Sequence, residues 1–154
     1  DGLTGLGNRI AFDQTMAGLE TSLDKEVGLF LIDVNGLKDL NDTRGHEAGD
    51  ALLRTVASRL LNCLKDLPGS LFRIGGDEFV ILLPETDLKT ARSIGEAIRV
   101  AVAMGDYPVT AEITLSIGIS STRADYNPNS LFESVDEAMY QAKRAGKNRI
   151  YCES

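Results

Sequence analysis

The chain has 154 residues, with 16 Lys and Arg against 23 Asp and Glu, which gives a formal net charge of −7. Hydrophobic residues make up 43% and charged residues 25%, as in one folded globular domain and unlike a disordered or collagen-like chain. The acidic balance argues against a partner that is a nucleic acid polymer or a membrane surface, because proteins that bind those are basic where they bind. No apolar run approaches the roughly 20 residues that span a bilayer. We therefore expect a single cytoplasmic domain without membrane contact.

The order of apolar stretches and turn residues predicts alternating helices and strands with short connections. The apolar stretch at residues 26–34 is typical of a central strand that is buried on both faces. Gly75-Gly76-Asp77-Glu78 between two later strands is typical of a β-hairpin, which excludes a purely parallel, doubly wound sheet. In chain order we predict helix 8–20, strand 26–34, a helical turn 37–40, helix 49–64, strands 71–74 and 79–83, helix 90–103, strand 110–120, helix 130–144 and strand 149–152.

Acidic side chains interrupt this pattern at two places where packing does not require them. Asp33 lies at the end of the most apolar strand, and Asp77 and Glu78 lie at the tip of the hairpin. An acidic pair after two glycines is also common in ordinary polar turns. Two or three carboxylates at one edge of a sheet, however, repel each other unless a cation lies between them. Hard oxygen ligands favour Mg²⁺, which keeps coordination positions open for substrate phosphates.

Positive charges are concentrated near the end of this acidic chain. Lys143, Arg144, Lys147 and Arg149 fall within seven residues, around the predicted end of the last helix. The helix macrodipole favours basic residues there and accounts for one or two of them. If the helix continued through Gly146, Lys143 and Lys147 would lie on one face and form a candidate phosphate site.

A second candidate phosphate site follows the central strand. Lys38 comes just after a glycine turn, and the backbone N–H groups of Gly36 and Leu37 precede a short helix, where such groups hold phosphate oxygens. Acidic metal ligands together with separate cations imply a nucleoside triphosphate as the ligand.

At these residues the sequence resembles the GGDEF domain family, the diguanylate cyclases of bacterial second-messenger signalling. The signature is RIGGDEF at residues 73–79, and the resemblance covers residues 1 to about 151. Further blocks follow the family's order: DGLTGLGNR at 1–9, DVNGLKDLND at 33–42, GHEAGD at 45–50, SIGI at 116–119 and YQAKRAGKNR at 140–149. Six blocks in order are far more specific than the signature alone.

The resemblance implies a fold, an activity and an assembly. Family members have an α+β fold with a mainly antiparallel five-stranded sheet flanked by helices, similar to the palm of polymerases and class III nucleotide cyclases. They condense two GTP molecules into cyclic di-GMP and release two pyrophosphates. One such site holds one GTP, so the active species is expected to be a two-fold homodimer. We expect residues 1–154 to be one domain of a longer protein whose upstream sensor domain is missing.

Two other functions compete with an active cyclase. A non-catalytic module that binds GTP or cyclic di-GMP and signals through a partner is the main alternative, and a complete set of metal and guanine positions favours the enzyme over it. A polymerase-like palm that acts on nucleic acid would fit the acidic residues but not the net charge of −7.

The metal and catalytic positions carry over from the family residue by residue. Asp33 and Asp77 match the ligands of Mg²⁺ (or Mn²⁺), aided by the Val34 carbonyl. Glu78 matches a residue that assists at the metal or acts as a base for the attacking ribose 3′-hydroxyl. The implied chemistry is in-line phosphoryl transfer with assistance from the metal.

The substrate positions carry over in the same way. Asn41 and Asp50 match the positions that bind the guanine edge, and an Asp accepts hydrogen bonds that adenine cannot supply. The remaining substrate-binding positions are Gly36, Leu37, Lys38, Gly76, Lys143 and Lys147.

The sequence departs from the family pattern at several positions. Asn35 replaces a usual Asp, Gly36 replaces a usual aromatic residue, and Lys147 stands where Arg is common. Many members also carry an inhibitory product site, Arg-x-x-Asp, just before the signature; here those two positions are Asp66 and Gly69. We therefore expect no product inhibition through this site.

Overall fold

The structure, a computed structural model, describes residues 1–19, 26–105, 107, 113–122 and 128–153. The predicted helix end at Glu20 and strand start at Thr110 lie outside these ranges. In chain order the elements are α1 (Arg9–Leu19), β1 (Val27–Asn35), α2 (Leu37–Arg44), α3 (His46–Leu64), β2 (Ser70–Arg73), β3 (Glu78–Pro84), α4 (Leu88–Ala103), β4 (Thr114–Thr122), α5 (Pro128–Arg144) and β5 (Arg149–Glu153).

The strands form one five-stranded sheet in the order β2-β3-β1-β4-β5. The central strand β1 is antiparallel to both β3 and β4, and β2 is antiparallel to β3. The edge strand β5 is parallel to β4. These pairings confirm the predicted α+β fold with a mainly antiparallel five-stranded sheet.

Helices cover both faces of the sheet. Because side chains alternate along a strand, Leu29 and Leu31 of β1 join a core cluster that includes Phe12 of α1 and Val135 of α5. Phe30, Ile32 and Val34 of β1, whose side chains point to the other face of the sheet, join the second core cluster together with side chains of α2, α3 and α4. Burial on both faces explains why β1 is an almost continuous apolar run. No helix in the described ranges is both long enough and apolar enough to cross a membrane.

Two helix boundaries differ from prediction near the start of the site. The predicted turn at residues 37–40 is the first half of an eight-residue helix, α2, which is mostly polar and therefore lacks a clear apolar period. Helix α3 begins at His46 rather than Gly49, because Gly45, with φ of 85°, separates the two helices and Gly49 lies inside the second one.

The last helix also begins earlier than predicted. Helix α5 begins at Pro128, two residues before the predicted start. The spacing of Ser130 and Glu133 also predicts a capping box, and the Ser130 side chain is outside the described part of the structure.

Candidate active site

The end of β1 meets the tip of the β2–β3 hairpin. In the strand register, Asp33 lies opposite Glu78 of β3 and opposite Ser116 of β4. The Val34 N–H donates a hydrogen bond to the Asp77 carbonyl at 3.0 Å, which ties the hairpin tip to β1. The acidic residues that the sequence places in two separate segments, Asp33 in one and Asp77 and Glu78 in the other, are therefore neighbours at one edge of the sheet.

Asp33 is a nearly buried carboxylate with one satisfied oxygen. The side chain of Asp33 is 9% exposed, and Lys143 from the last turn of α5 places Nζ 2.6 Å from Oδ2. The other oxygen, Oδ1, is buried and has no hydrogen-bond partner. Burial, together with the negative charge of Asp77, raises the pKa of Asp33 to about 6, against the opposing effect of the Lys143 hydrogen bond.

Lys143 faces all three carboxylates of this site. Burial works against its charged form, but the hydrogen bond to Asp33 and the charges of Asp33, Asp77 and Glu78 together raise the pKa of Lys143 above its usual value. The sequence predicted Lys143 only as a phosphate ligand. Its ion pair with Asp33 was missed because the two residues are far apart in the chain.

The donor atoms at this edge fit a hard divalent cation. A buried carboxylate oxygen without a partner is costly, and a second carboxylate close enough to repel the first adds to that cost. A cation between them would remove both penalties. In the described part of the chain no three Asp, Glu, His or Cys side chains form a metal-binding group by themselves. A cation here would therefore also need backbone or substrate oxygens.

Arg73 holds the hairpin tip in place. Its guanidinium donates to the Gly76 carbonyl from Nε at 3.3 Å and from Nη2 at 2.9 Å. Nη1 donates to Asp1 Oδ1 at 3.1 Å, which attaches the N-terminal segment to the same arginine. Sequence reasoning missed this role, although Arg73 and Asp1 both belong to blocks of the family pattern. A Cβ at Gly76 would meet no atom within 4 Å, so the tip is open to a ligand.

The loop after β1 depends on a glycine. Gly36 has φ of 95°, a left-handed conformation that only glycine adopts without strain, and it precedes the first turn of α2. Leu37 is buried, whereas Lys38 is exposed on the same helix. The apolar side chain of Leu37 thus anchors the turn that presents Lys38 to solvent.

The junction of α2 and α3 brings together the residues predicted to bind guanine. Asn41 is half-buried, and its Oδ1 has no hydrogen-bond partner. Gly49 of α3 packs directly against it, since a Cβ at Gly49 would lie 1.8 Å from that oxygen. Asp50 follows Gly49 and is also half-buried. An acceptor left without a partner in this corner is available to a ligand that donates hydrogen bonds.

Lys143 and Lys147 do not share one helical face, because the helix ends at Arg144, as predicted, and does not continue through Gly146. Helix α5 ends at Arg144 in a Schellman arrangement, in which the Lys147 N–H donates to the Ala142 carbonyl and the Gly146 N–H donates to the Lys143 carbonyl. Gly146 has φ of 121° and Lys147 has φ of 61°, so the helix cannot continue. Lys147 lies exposed in the turn before β5, and in the described structure neither its ammonium nor that of Lys38 forms an ion pair.

Comparison with known proteins matches this arrangement to one family. Residues 1–149 match the family described as "Diguanylate cyclase, GGDEF domain". The chain is 40% identical over 154 residues to the diguanylate cyclase DgcM of Escherichia coli, with 97% of this chain and 37% of DgcM covered. It is 39% identical over 165 residues to the response regulator PleD of Caulobacter vibrioides, with 97% of this chain and 35% of PleD covered. The chain thus spans just over a third of these two relatives.

Solved structures agree with the sequence comparison. The GGDEF domain of DgcB from Caulobacter crescentus, in complex with c-di-GMP, matches with a TM-score of 0.89 and 32% identity, covering 99% of this chain and 94% of that one. The active GGEEF domain of a diguanylate cyclase from Vibrio cholerae matches with a TM-score of 0.85 and 28% identity over 97% of each chain.

The fold, with its central antiparallel strand and acidic hairpin, is the palm-like cyclase fold. The chain belongs to the GGDEF domain family of diguanylate cyclases, as its sequence blocks predicted.

Proposed function

We propose that this domain is a diguanylate cyclase, which joins two GTP molecules into cyclic di-GMP, releases two pyrophosphates and acts as a two-fold homodimer. The observation that carries the proposal is the buried Asp33 oxygen without a partner, beside the acidic hairpin and Lys143. A site built only for stability would satisfy that oxygen.

A divalent cation, Mg²⁺ or Mn²⁺, is part of the proposal. Asp33 and Asp77 would hold it, with the Val34 carbonyl and Glu78 assisting. When bound, the cation polarises phosphate oxygens and neutralises charge that develops during phosphoryl transfer. Glu78, at the start of β3, is the candidate to accept the proton of the attacking 3′-hydroxyl.

The remaining predicted residues are proposed to bind one GTP. Lys38 and Lys147 have exposed ammonium groups free to contact triphosphate oxygens, and the backbone at Gly36 and Leu37 offers N–H donors. Asn41 and Asp50 would accept hydrogen bonds from guanine. Adenine lacks the matching donors, so ATP would leave these acceptors unpaired.

The assembly follows from the chemistry of the product. Each 3′-oxygen forms a bond to the α-phosphorus of the other GTP, and each α–β phosphoanhydride bond breaks to release pyrophosphate. A domain with one nucleotide site cannot do this alone, so two copies must meet in antiparallel register. We expect a dilute sample of this chain to be a weakly active monomer whose specific activity rises with protein concentration. Activity that is independent of concentration, with a monomeric profile in gel filtration, would contradict this assembly.

Substrate choice and the Asp77→Ala variant test the proposed site. The wild-type domain should convert GTP but not ATP in the presence of Mg²⁺, and Asp77→Ala should lose conversion by at least about a hundredfold, as expected for loss of a group that acts in the transition state. Asp66→Ala, which removes an exposed acid outside the site, is the matched control and should keep full activity. Unchanged activity in Asp77→Ala would overturn the site. Binding of GTP without any product would support the non-catalytic alternative.

Feedback by the product should be absent at the position where relatives place it. Asp66 is exposed and Gly69 packs against Leu83, where a Cβ would be 3.1 Å from that side chain. Asp66 stands where the inhibitory motif has its Arg, and Gly69 stands where the motif has its Asp. Initial rates measured with added cyclic di-GMP should therefore stay unchanged, and strong inhibition that maps to residues 66–69 would refute the expectation.

A further inference from the structure

The Lys143 ammonium lies on the carboxylate that is proposed to bind the metal. Its Nζ is 2.6 Å from Asp33 Oδ2, while Asp33 Oδ1 is buried without a partner. We propose that the Lys143 ammonium competes with the divalent metal for Asp33 and leaves Asp33 when a nucleoside triphosphate binds and its phosphate oxygens pair with Lys143 instead. This inference rests on the proposed metal site and adds a coupling between metal and nucleotide to it.

Competition follows from the geometry of a single carboxylate. Its two oxygens are about 2 Å apart, so a divalent cation on Oδ1 and an ammonium on Oδ2 would be close neighbours and would repel each other. Lys143 therefore lowers the affinity for the metal as long as it remains on Asp33. The same ammonium stabilises the metal-free protein, because it compensates the charge of a nearly buried carboxylate that lies beside two other acids.

Lys143 can change partners because its backbone is fixed and its side chain is not. Ala142 and Met139 of α5 are buried, and the helix ends in hydrogen bonds that hold Lys143 in the last turn. The Lys143 side chain, however, is 38% exposed. A lysine is a compact charge on a flexible stem, so it can move from one anion to another without moving the helix.

A shared lysine makes metal and triphosphate bind cooperatively. A triphosphate that draws Lys143 away from Asp33 removes the repulsion that opposes the metal, so each ligand raises the affinity of the other by the same factor. The domain would then take up the metal together with the nucleotide and bind the free metal only weakly.

Lys143→Met tests this device, with Lys147→Met as the matched control. Methionine keeps most of the side-chain length and removes the charge. Lys147→Met removes an equal charge from the neighbouring turn, where the ammonium forms no ion pair with the residues that the structure describes. We measure the affinity for Mn²⁺ without nucleotide by electron paramagnetic resonance. Mn²⁺ should bind about three- to tenfold more tightly to Lys143→Met than to wild type, the range that corresponds to an ion pair of moderate strength. Lys147→Met should bind it within about twofold of wild type.

A second measurement tests the coupling itself. The affinity for a GTP analogue with a non-hydrolysable α–β bridge is measured with and without Mg²⁺. The factor by which Mg²⁺ improves analogue binding should be smaller in Lys143→Met than in wild type and unchanged in Lys147→Met. Thermal unfolding checks that each variant folds, and added Mn²⁺ should stabilise Lys143→Met more than wild type.

The outcomes separate failure of this inference from failure of the proposed function. If Lys143→Met binds Mn²⁺ no more tightly than wild type while Asp77→Ala loses Mn²⁺ binding, the metal site stands and the competition is refuted. An equal gain in Lys147→Met would also refute it, because removal of any nearby charge would then suffice. If neither wild type nor Lys143→Met binds Mn²⁺ at millimolar concentration, and Mg²⁺ does not improve binding of the GTP analogue to either protein, the metal site and the inference both fall.

Discussion

Gly118→Ala is expected to displace helix α5 from the sheet. Gly118 lies in β4, and a Cβ there would be 2.3 Å from the Met139 nitrogen and 2.4 Å from the Val135 oxygen, both backbone atoms of α5. Ordinary contact begins at 3.4 Å, so the helix must move by about 1 Å. No side-chain rotation relieves the clash, and overpacking of this kind costs about 1–3 kcal/mol of unfolding free energy, or more.

The displacement should also reach the candidate active site. Helix α5 carries Lys143, whose contact with Asp33 is only 2.6 Å long. A shift of about 1 Å also moves Lys143 away from the positions proposed for the metal and the triphosphate, so Gly118→Ala should lose activity at temperatures where it is still folded. Urea unfolding followed by circular dichroism measures the stability, and product formation from GTP measures the activity.

Gly18→Ala is the matched control for this substitution. Gly18 lies within α1, and a Cβ there would meet no atom within 4 Å. Alanine is favoured over glycine in a helix by about 1 kcal/mol, so this variant should be as stable as wild type or more stable. The same chemical change thus has opposite expected signs at the two positions. Equal stability of Gly118→Ala and wild type would refute the close packing of α5 on β4.

Three further substitutions test other contacts. Asp33→Asn removes an acid whose pKa in the folded protein is raised to about 6, so ionisation of this acid lowers the stability of the wild type as the pH rises from 4 through 6. The unfolding free energy of the variant, measured by urea unfolding, should therefore exceed that of the wild type by about 1–3 kcal/mol at pH 7 and should equal it at pH 4. In Arg73→Ala the hairpin tip loses two hydrogen bonds to the Gly76 carbonyl, so hydrogen exchange of the backbone amides at the tip should accelerate about tenfold. Unchanged protection of these amides would contradict the proposed role of Arg73 in holding the tip. In Gly49→Ala the new Cβ displaces the flexible end of Asn41, so the affinity for GTP should fall about tenfold, while the unfolding free energy stays within about 1 kcal/mol of the wild-type value. Wild-type affinity in a calorimetric titration with GTP would contradict the role of Asn41 in binding guanine.

The central strand and the hairpin were predictable because both follow from local patterns. An almost uninterrupted apolar run at residues 26–34 strongly predicts a strand that is covered on both faces. Two short apolar runs around Gly75 and Gly76 similarly have a hairpin as their simplest outcome. Asp33 stood out because it breaks an apolar pattern, and the structure places it beside the hairpin.

The contacts of Lys143 were not predictable from local patterns. Its pairing with Asp33 depends on how α5 crosses β1 and β4, which the sequence does not encode in any single segment. The conditional alignment with Lys147 does not occur, because one glycine, Gly146, adopts a conformation that ends the helix. A glycine in a basic helical segment is compatible with continuation or termination, and only the tertiary structure decides between them.

The polar helix α2 was underestimated for a different reason. Only Leu37 and Leu40 of its residues are buried, so an apolar period barely exists. Glycines with positive φ, Gly36 and Gly45, set its two ends. Helix boundaries that are set by backbone geometry are harder to predict from sequence than helix boundaries that are set by burial of apolar residues.

Product analysis after incubation with GTP and Mg²⁺ decides whether this domain makes cyclic di-GMP. The concentrated domain is incubated, nucleotides are separated by ion-exchange chromatography, and pyrophosphate is counted enzymatically. We expect one new nucleotide that elutes with authentic cyclic di-GMP, with two pyrophosphates released for each molecule of product. GTP that remains unchanged at high protein concentration, or that is converted to GDP and phosphate, would contradict it.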